Sequence, residues 1–246
     1  MYEVLKKKFG QNFLIDQNII KKICNLIPNK FLSIIEIGPG NGRLTEHILK
    51  LEPKKFKIIE IDSDLIPIIK KKFDKNLNLE IINENILNYP LIEKVDLIIS
   101  NLPYNISSQI LVKICLTKHP PDILILMFQK EFAERLMDEK LNSLNSLVNC
   151  FYDIKNNFNV GKNCFRPKPK INSTVLLFER KKKSLLKKNE INDFIDFKRI
   201  LFSHKRKTLG NLLRNYSLDK KRFNLNLRVE DLYLKNLIEI FRAINL

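Results

Sequence analysis

Residues 33–42 read Ser-Ile-Ile-Glu-Ile-Gly-Pro-Gly-Asn-Gly, an apolar run that leads into three glycines, each separated by one residue. The run has the length and the isoleucine content of a strand that is buried on both faces. Leu44, Ile48 and Leu51 then recur at helical spacing. Glycines at such a turn let the backbone bend sharply and approach a ligand beside the helix N–H groups. The stretch therefore predicts a strand–turn–helix unit with a ligand site at its turn.

Strand-like and helix-like segments alternate around this unit. The apolar runs that predict strands are Ser33–Ile37, Phe56–Ile61, Leu79–Ile82, Val95–Ser100, Ile123–Phe128 and Ser173–Glu179. The segments with apolar residues three and four positions apart, which predict helices, are Gln17–Ile27, Arg43–Leu51, Asp64–Phe73, Ser107–Thr117 and Lys130–Glu139. This alternation is typical of a doubly wound α/β domain with a mainly parallel sheet.

The pattern changes after Glu179, where Arg180–Lys183 forms a run of four basic residues. Beyond it the sequence predicts only helices, at Phe194–Phe202, Lys207–Asn215, Leu218–Phe223 and Val229–Ala243. We therefore predict two domains with a boundary near Lys183. Residues 1–183 would form the α/β domain that binds the ligand, and residues 184–246 would form a small all-helical domain.

The chain is strongly basic, with 44 Lys and Arg against 27 Asp and Glu among 246 residues, a net charge of +17. The stretch Val160–Arg222 holds 19 basic and 5 acidic residues, so +14 of this charge lies there. Such an excess indicates a polyanionic partner, either nucleic acid or an anionic membrane surface. AT-rich codon usage is an alternative source of lysine, but it would not concentrate the charge in one stretch.

The apolar pattern of the sequence excludes membrane-spanning and secreted proteins. No apolar run approaches the roughly 20 residues of a membrane span, and the first nine residues lack the apolar segment of a signal peptide. The cysteines and histidines lack the spacing of metal ligands. These residues are Cys24, Cys115, Cys150, Cys164, His47, His119 and His204. We expect a reduced cytoplasmic chain with no metal site.

Glu60 lies at the end of the predicted strand Phe56–Ile61, about 20 residues after the glycine turn, where a carboxylate can accept hydrogen bonds from both ribose hydroxyls of a cofactor. Nicotinamide, flavin and S-adenosylmethionine enzymes all use this arrangement, and a turn that needs glycine only for packing is a further alternative. The Glu-x-Gly-x-Gly form of Glu36–Gly40 differs from Gly-x-Gly-x-x-Gly. It favours S-adenosylmethionine, which has no pyrophosphate.

A second motif, Asn101-Leu102-Pro103-Tyr104, follows the predicted strand Val95–Ser100. One chemistry that these residue types can support is methylation of an exocyclic adenine amine. Such an amine is a poor nucleophile because its lone pair is delocalised into the ring. The Asn101 side-chain oxygen and the Leu102 carbonyl can accept its two hydrogens and direct the lone pair toward a methyl donor. Pro103 stiffens the turn, and Tyr104 offers a face on which the base can stack. A proline turn with a buried tyrosine is the alternative, but beside the glycine motif these residues favour methylation of a nucleobase amine.

With these motifs in place, the chain resembles the ribosomal RNA adenine dimethyltransferase family, which includes small-subunit dimethylases and erythromycin-resistance methylases. The matching segments are Lys8–Leu14, Glu36–Gly40, Glu60, Asn101–Ser107, Gln129–Glu131, Phe165–Ser173 and Leu201–Leu209. Two of them, Asn101–Ser107 and Leu201–Leu209, resemble the small-subunit branch more. The resemblance implies a class I S-adenosylmethionine-dependent methyltransferase fold. Such a fold has a Rossmann-like domain with a mostly parallel seven-stranded sheet, here followed by the small all-helical domain.

The resemblance also implies roles for individual residues. The positions that bind S-adenosylmethionine are matched by Asn12, Leu14, Gly38, Glu60, Asn85 and Asn101. The positions that hold the target base are matched by Asn101, Leu102, Pro103, Tyr104 and Phe165, the last two as an aromatic pair that sandwiches it. Asn12 and Leu14 would close over the methionine end of the cofactor. Asn85 stands where the family has Asp, and its amide oxygen can still accept one bond from the cofactor's adenine. We expect weakened or readjusted cofactor binding, with activity retained.

The function implied by the resemblance is dimethylation of adenines in small-subunit ribosomal RNA, as a step of ribosome biogenesis in the cytoplasm. The partner would be that RNA or a pre-30S particle, and the chain would act as a monomer. Lys205, Arg206 and Lys207 would hold RNA phosphates. Two alternatives are a large-subunit methylase of the resistance branch and an RNA-binding assembly factor with dispensable catalysis. The intact motif Asn101–Tyr104 argues against a pure binding protein.

Overall fold

The predicted alternation of strands and helices is present in the computed structural model, which describes residues 12–29, 33–204, 206–216, 218 and 221–244. The strands are β1 (Phe13–Leu14), β2 (Ser33–Ile37), β3 (Lys55–Glu60), β4 (Leu79–Asn83), β5 (Leu97–Asn101), β6 (Ile123–Gln129), β7 (Tyr152–Val160), β8 (Phe165–Arg166) and β9 (Ser173–Arg180). The helices are α1 (Gln17–Cys24), α2 (Arg43–Leu49), α3 (Leu65–Lys72), α4 (Ser107–Leu116), α5 (Lys130–Met137), α6 (Asn145–Val148), α7 (Ile191–Ser203), α8 (Leu209–Leu212) and α9 (Leu234–Ile244).

Seven strands form one sheet in the order β4-β3-β2-β5-β6-β9-β7. Glu36 of β2 lies opposite Ile58 of β3 on one side and Ile99 of β5 on the other, and both pairings are parallel. β4 and β6 continue the parallel sheet, and β9 runs antiparallel to β6. The chain moves outward from β2 to β4 and then returns to β5 on the other side of β2. The order of strands therefore reverses between β2 and β5, which is where open α/β sheets bind their ligands.

Both faces of the central strands are buried. Ile34, Leu97 and Ile99 belong to an apolar cluster that includes side chains of α1, α2 and α3, so these helices cover one face of the sheet. The intervening Ile35 and Ile98 are also buried, so the other face is covered as well. Burial on two faces is the reason that these strands appear in the sequence as continuous apolar runs, because neither face has to be polar.

The strands β1 and β8 form a separate two-stranded antiparallel ladder. Leu14 lies opposite Phe165 in this ladder, and both side chains belong to the same apolar cluster as α1. The ladder brings the segment after residue 164 next to the beginning of the described chain. The sequence did not predict this pair, because two residues per strand are too few to show a period.

Contacts within the chain divide it into two units. The first holds the described residues up to Ala133 together with Asp153–Arg180, and the second holds Glu134–Tyr152 with the chain after Arg180. In the second unit, Phe194 and Phe241 meet edge to face with ring centroids 5.2 Å apart. The buried Lys198 donates from Nζ to the carbonyl of Ser143 at 2.5 Å, which ties the segment 134–152 to α7. The predicted boundary between residues 183 and 184 would put the segment 134–152 in the first domain with the sheet. The contacts put it in the second unit.

The structure also differs from the sequence-based expectations at several other elements, including the unpredicted α6 and the later start of α9, at Leu234 in place of Val229. Strand β7 was not predicted, because Tyr152–Val160 is polar at most positions and largely accessible to solvent. The predicted helix Lys207–Asn215 is reduced to the four residues of α8. The predicted helix Leu218–Phe223 is wrong, since none of its described residues is helical. Its apolar spacing is produced by Leu218 and Phe223 alone, which is too weak a pattern to specify a helix.

Candidate active site

A cavity that opens to solvent lies where the order of strands reverses. It is lined by residues that follow the carboxyl ends of β2, β3, β4 and β5, and by Asn12–Leu14. Nine of the predicted site residues line it, namely Asn12, Leu14, Gly38, Glu60, Asn85, Asn101, Leu102, Pro103 and Tyr104. Parallel strands bring their carboxyl ends to the same edge of a sheet, so this topology gathers residues that are far apart in sequence.

In the glycine turn after β2, Gly40 is needed for packing, whereas Gly38 leaves space in the cavity. Gly38 and Gly40 both have positive φ values, +64° and +58°, which favour glycine. A Cβ on Gly40 would lie 2.7 Å from two ring carbons of Phe13, so this glycine is required by packing. A Cβ on Gly38 would meet only the Pro103 Cδ at 4.0 Å, which leaves open space on the cavity side. Gly38 is therefore the position where a ligand can approach the backbone.

Glu60 ends β3, as predicted, and its carboxylate is buried beside the glycine turn. Its two oxygens accept backbone N–H bonds, from Asp62 at 2.9 Å and from Gly40 at 3.2 Å. Burial raises the pKa of Glu60, while these N–H bonds act in the opposite direction. A carboxylate has about four acceptor positions, so Glu60 can still accept bonds from two ligand hydroxyls.

Glu36, the next-to-last residue of β2, is a buried carboxyl that also lines the cavity. The Thr45 hydroxyl donates to its Oε2 at 2.6 Å. Burial raises the pKa of Glu36 to about 8, and the nearby Glu60 carboxylate acts in the same direction. The Thr45 bond and the Lys72 ammonium oppose this shift. Glu36 is therefore largely protonated at neutral pH.

The amide of Asn101 is oriented by a bond across the cavity. Its Nδ2 donates to the backbone carbonyl of Asn12 at 2.8 Å, although 89 residues separate the two in sequence. The reverse orientation would place the amide oxygen against another carbonyl oxygen, and two acceptors repel each other. The Asn12 carbonyl therefore selects the rotamer in which the Asn101 oxygen is left to accept a hydrogen from a substrate amine.

The turn after Asn101 places the remaining residues of this motif around the cavity. Leu102 is buried, whereas Pro103 and Tyr104 are half-buried. Tyr104 begins a single 3-10 turn, Tyr104–Ile106, that leads directly into α4. Its phenol is hydrogen-bonded to the hydroxyl of Ser173 at 2.7 Å, a partner that the sequence did not predict. Other lining residues were missed, among them Ile61, Glu84 and Ile86, although all three lie at the end of a predicted strand or within four residues after it.

Phe165 does not lie where the aromatic sandwich requires it. Its side chain is fully buried in the apolar cluster and is not among the residues that line the cavity. The pairing of β8 with β1 places it opposite Leu14, and a side chain packed on all sides has no free face for a base. The structure therefore does not bring Phe165 to the cavity beside Tyr104, and its role as the second ring of the sandwich stays a prediction.

Asn85, the residue that departs from the family pattern, lines the cavity after β4. Its Oδ1 accepts the backbone N–H of Leu87 at 3.0 Å, which closes a local turn. An aspartate could make this bond with one oxygen and present the other to the cavity. Asn85 thus holds the loop with the same atom that was expected to contact the cofactor.

We expect Asn85→Asp to bind S-adenosylhomocysteine several-fold more tightly. The added carboxylate oxygen would accept the adenine amine in a charge-assisted bond, which is roughly twice as strong as a neutral one, and desolvation would offset part of the gain. Calorimetric titration measures the change, on the order of 1 kcal/mol. Asn88→Asp, with the same charge on an exposed residue three positions later, is the control. Equal or weaker binding by the Asn85→Asp variant would remove Asn85 from the cofactor site.

The predicted phosphate-binding residues lie in the second unit. Arg206 and Lys207 are exposed on the turn between α7 and α8, where the Lys207 N–H donates to the His204 carbonyl at 2.9 Å. Lys205 lies outside the described residues. Both described side chains are available to contact a polyanion.

Metal clusters and membrane-spanning helices are both missing from the described residues. No group of three or more His, Cys, Asp or Glu side chains there is arranged to hold a metal ion. No helix in the same residues has both the length and the apolar character needed to cross a membrane.

The cavity residues fit S-adenosylmethionine. The open space above Gly38 admits a ligand next to the backbone, and Glu60 retains acceptor capacity for ribose hydroxyls. Ile61 and Ile86 provide aliphatic surface beside Asn85, as an adenine ring requires. These residues would hold the nucleoside part of the cofactor, and Asn12 and Leu14 lie on the lining of the same cavity.

Sequence comparison shows what the chain is similar to. A family model described as ribosomal RNA adenine dimethylase matches residues 3–245. The ribosomal RNA small subunit methyltransferase A of Mycoplasma capricolum subsp. capricolum is 41% identical, with 97% of each chain covered. The protein of the same name from Pelagibacter ubique is 38% identical, over 85% of this chain and 82% of its own.

Solved structures agree with this result. A dimethyladenosine transferase from Plasmodium falciparum superposes with a TM-score of 0.82 at 26% identity, covering 95% of this chain and 97% of that one. The 23S rRNA methyltransferase ErmE has a TM-score of 0.75 at 21% identity, over 96% and 100%, and so shows the shared fold. The predicted class I S-adenosylmethionine-dependent methyltransferase fold is confirmed. Because the family model spans almost the whole sequence, the chain belongs to the ribosomal RNA adenine dimethylase family.

Proposed function

We propose that this protein dimethylates the exocyclic amines of adenines in small-subunit ribosomal RNA, in two successive transfers from S-adenosylmethionine. The observation that carries the proposal is the orientation of Asn101 in the cavity. Its Nδ2 is bound to the Asn12 carbonyl, so its oxygen is the atom that a substrate amine would meet. An acceptor fixed at the carboxyl end of β5, beside a cofactor cavity, is the arrangement that activates an amine.

The mechanism follows from the residues around this acceptor. When bound, S-adenosylmethionine supplies an electrophilic methyl group on a sulfonium. The Asn101 oxygen and the Leu102 carbonyl would accept the two amine hydrogens, which turns the nitrogen lone pair out of the plane of the ring. Positive charge develops on the nitrogen during transfer, and these two preorganised dipoles stabilise it. The ring of Tyr104 would stack on the extruded adenine.

The small subunit is the substrate that the comparisons favour. The relatives at 34–41% identity are named as small-subunit methyltransferases. The large-subunit enzyme ErmE is 21% identical and supports the fold alone. The intact Asn101–Tyr104 turn, with its acceptor already oriented, favours an enzyme over an assembly factor that only binds RNA.

The two predicted domains would have different binding roles. We propose that residues 1–183 bind the cofactor and the target base, and that residues 184–246 hold RNA phosphates through Lys205, Arg206 and Lys207. Phosphate contacts of this kind position the RNA without reading its sequence. We further propose that the protein acts as a monomer in the cytoplasm, on small-subunit RNA or on a pre-30S particle.

The proposed function is tested by incubating the protein with methyl-labelled cofactor and separated, unmethylated ribosomal subunits. Nuclease digestion and mass spectrometry of the RNA then identify the modified nucleoside and its position. We expect dimethyladenosine in the small-subunit RNA and none in the large-subunit RNA. Label in the large-subunit RNA would support the resistance branch instead. RNA binding without label would support a pure assembly factor.

Neutralising Lys205, Arg206 and Lys207 with glutamine is expected to weaken RNA binding and flatten its dependence on salt. Three lost phosphate contacts should reduce the slope of log affinity against log salt by roughly two to three, because each contact releases counterions. Affinity for S-adenosylhomocysteine should not change. The control replaces three exposed lysines near α3 in the same way, Lys70, Lys71 and Lys75. A slope equal to that of the unmodified protein would favour codon usage as the origin of the lysines.

A further inference from the structure

The phenol of Tyr104 has a partner that the proposed mechanism does not use. Stacking on a base requires only the face of the ring, yet the hydroxyl is hydrogen-bonded to Ser173 Oγ at 2.7 Å. The two residues are 69 positions apart in sequence. Ser173 is fully buried, whereas Tyr104 is half-buried and lines the cavity. The contact therefore joins a cavity residue to a point inside the sheet.

Ser173 occupies a rigid position. It is the first residue of β9, and it lies opposite Gln129, the last residue of β6. In a strand the direction of each side chain is set by the pleat, and pairing with a neighbouring strand prevents the backbone from shifting. The sheet thus fixes the location of the Ser173 hydroxyl.

Tyr104 is constrained at its other end by the backbone. It follows Pro103, whose φ of −64° and ψ of 114° are extended, and it begins the 3-10 turn. The ring could still rotate about its two side-chain bonds if the hydroxyl had no partner. Burial raises the pKa of the Tyr104 phenol, so the group keeps its proton at neutral pH. The hydrogen bond to Ser173 holds the far end of the ring, and the ring is fixed at both ends.

We infer that Ser173 is a positioning residue for base stacking: its hydroxyl holds the Tyr104 ring in the orientation that receives the extruded adenine. The inference rests on the proposed function, since it assigns Ser173 to the same site. Both partners of the bond belong to the protein, so the stacking surface is preorganised and a reacting base does not have to order it.

A double-mutant cycle tests this inference. Ser173→Ala and Tyr104→Phe remove the two ends of the same hydrogen bond, and each should lower the single-turnover rate at saturating RNA about two- to ten-fold. The double variant should be no slower than the slower single variant, because the bond can be lost only once. The dissociation constants for RNA and for S-adenosylhomocysteine should not change, since phosphate contacts and the cofactor cavity are intact.

A serine of equal burial provides the control. Ser146 is fully buried in the second unit, and its hydroxyl donates to the Ser143 carbonyl at 3.3 Å. Ser146→Ala should lower the thermal midpoint by an amount similar to Ser173→Ala and leave the transfer rate unchanged. A merely structural serine would behave like Ser146. Tyr104→Phe also keeps the experiment decisive if Ser173→Ala folds poorly, because it removes the bond from the accessible side.

The outcomes separate this inference from the proposed function. An active unmodified protein with a non-additive cycle supports the role of Ser173. An active unmodified protein with additive losses, or with no loss from either substitution, overturns the role of Ser173 and leaves the proposed function standing. An unmodified protein that transfers no methyl group to small-subunit RNA overturns the proposed function, and the positioning role falls with it.

Discussion

Asn101→Ala is expected to lower the single-turnover rate of methyl transfer about 100- to 1,000-fold, the usual cost of losing one preorganised polar contact to a transition state. In the proposed mechanism the Asn101 oxygen accepts a hydrogen from the amine, and this bond strengthens as positive charge develops on the nitrogen. The Asn12 carbonyl already fixes the amide in the structure, so no reorganisation is needed during the reaction. Rapid-quench measurement with saturating cofactor and RNA reports the rate directly.

A matched control separates chemistry from folding. Asn142 also donates from Nδ2 to a backbone carbonyl, that of Arg135 at 2.7 Å, but it lies in the second unit. Asn142→Ala should destabilise the protein at least as much as Asn101→Ala and leave the transfer rate within a few-fold of the unmodified protein. If Asn101→Ala also remained within a few-fold, the assignment of Asn101 as the amine acceptor would be wrong.

Stability is expected to fall as the pH rises toward 8, and Glu36→Gln should remove most of this dependence. Burial raises the pKa of Glu36 from 4.5 to about 8, so the folded state binds a proton that the unfolded state releases. The full stability is present below pH 4.5 and is lost progressively as the pH rises through the folded value. One pKa unit corresponds to about 1.4 kcal/mol, so the loss is on the order of 4 to 5 kcal/mol.

The comparison requires the free energy of urea unfolding at several pH values between about 5 and 8.5, the range in which the linkage acts. Glutamine keeps an acceptor for the Thr45 hydroxyl and cannot ionise, so the Glu36→Gln variant should gain most over the unmodified protein at high pH. Glu46→Gln is the control, because the pKa of that exposed carboxyl is lowered by Lys72 and Lys50. It should leave the slope unchanged. Parallel curves for the unmodified protein and the Glu36→Gln variant would show that Glu36 is ionised in the folded state.

The central strands could be predicted because their burial is visible locally. Ile123–Phe128 and Val95–Ser100 read as strands, and the structure places β6 and β5 within two residues of them. Both strands have helices or apolar cover on each face, so every position is apolar. Strand β7 lies at the edge of the sheet and is mostly polar, and its pairing with β9 stabilises a segment whose own pattern indicates no strand.

The candidate site likewise has a part that could be predicted from the sequence and a part that could not. The sequence alone determined that Gly38, Glu60 and Asn101 would meet at one edge of the sheet, because each follows a strand and parallel strands align their carboxyl ends. Residues next to a strand end inherit their position from the strand, and the strand is encoded by its own apolar run.

Only the tertiary structure decided how these residues are held. The Asn12–Asn101 bond spans 89 residues, and the Tyr104–Ser173 bond spans 69. The burial of Phe165 depends on a two-residue ladder that has no sequence signature. The physical reason is the same in each case: the rotamer of a side chain depends on the partner that packing brings to it. A local sequence pattern specifies the backbone path but does not specify which distant residue will be that partner.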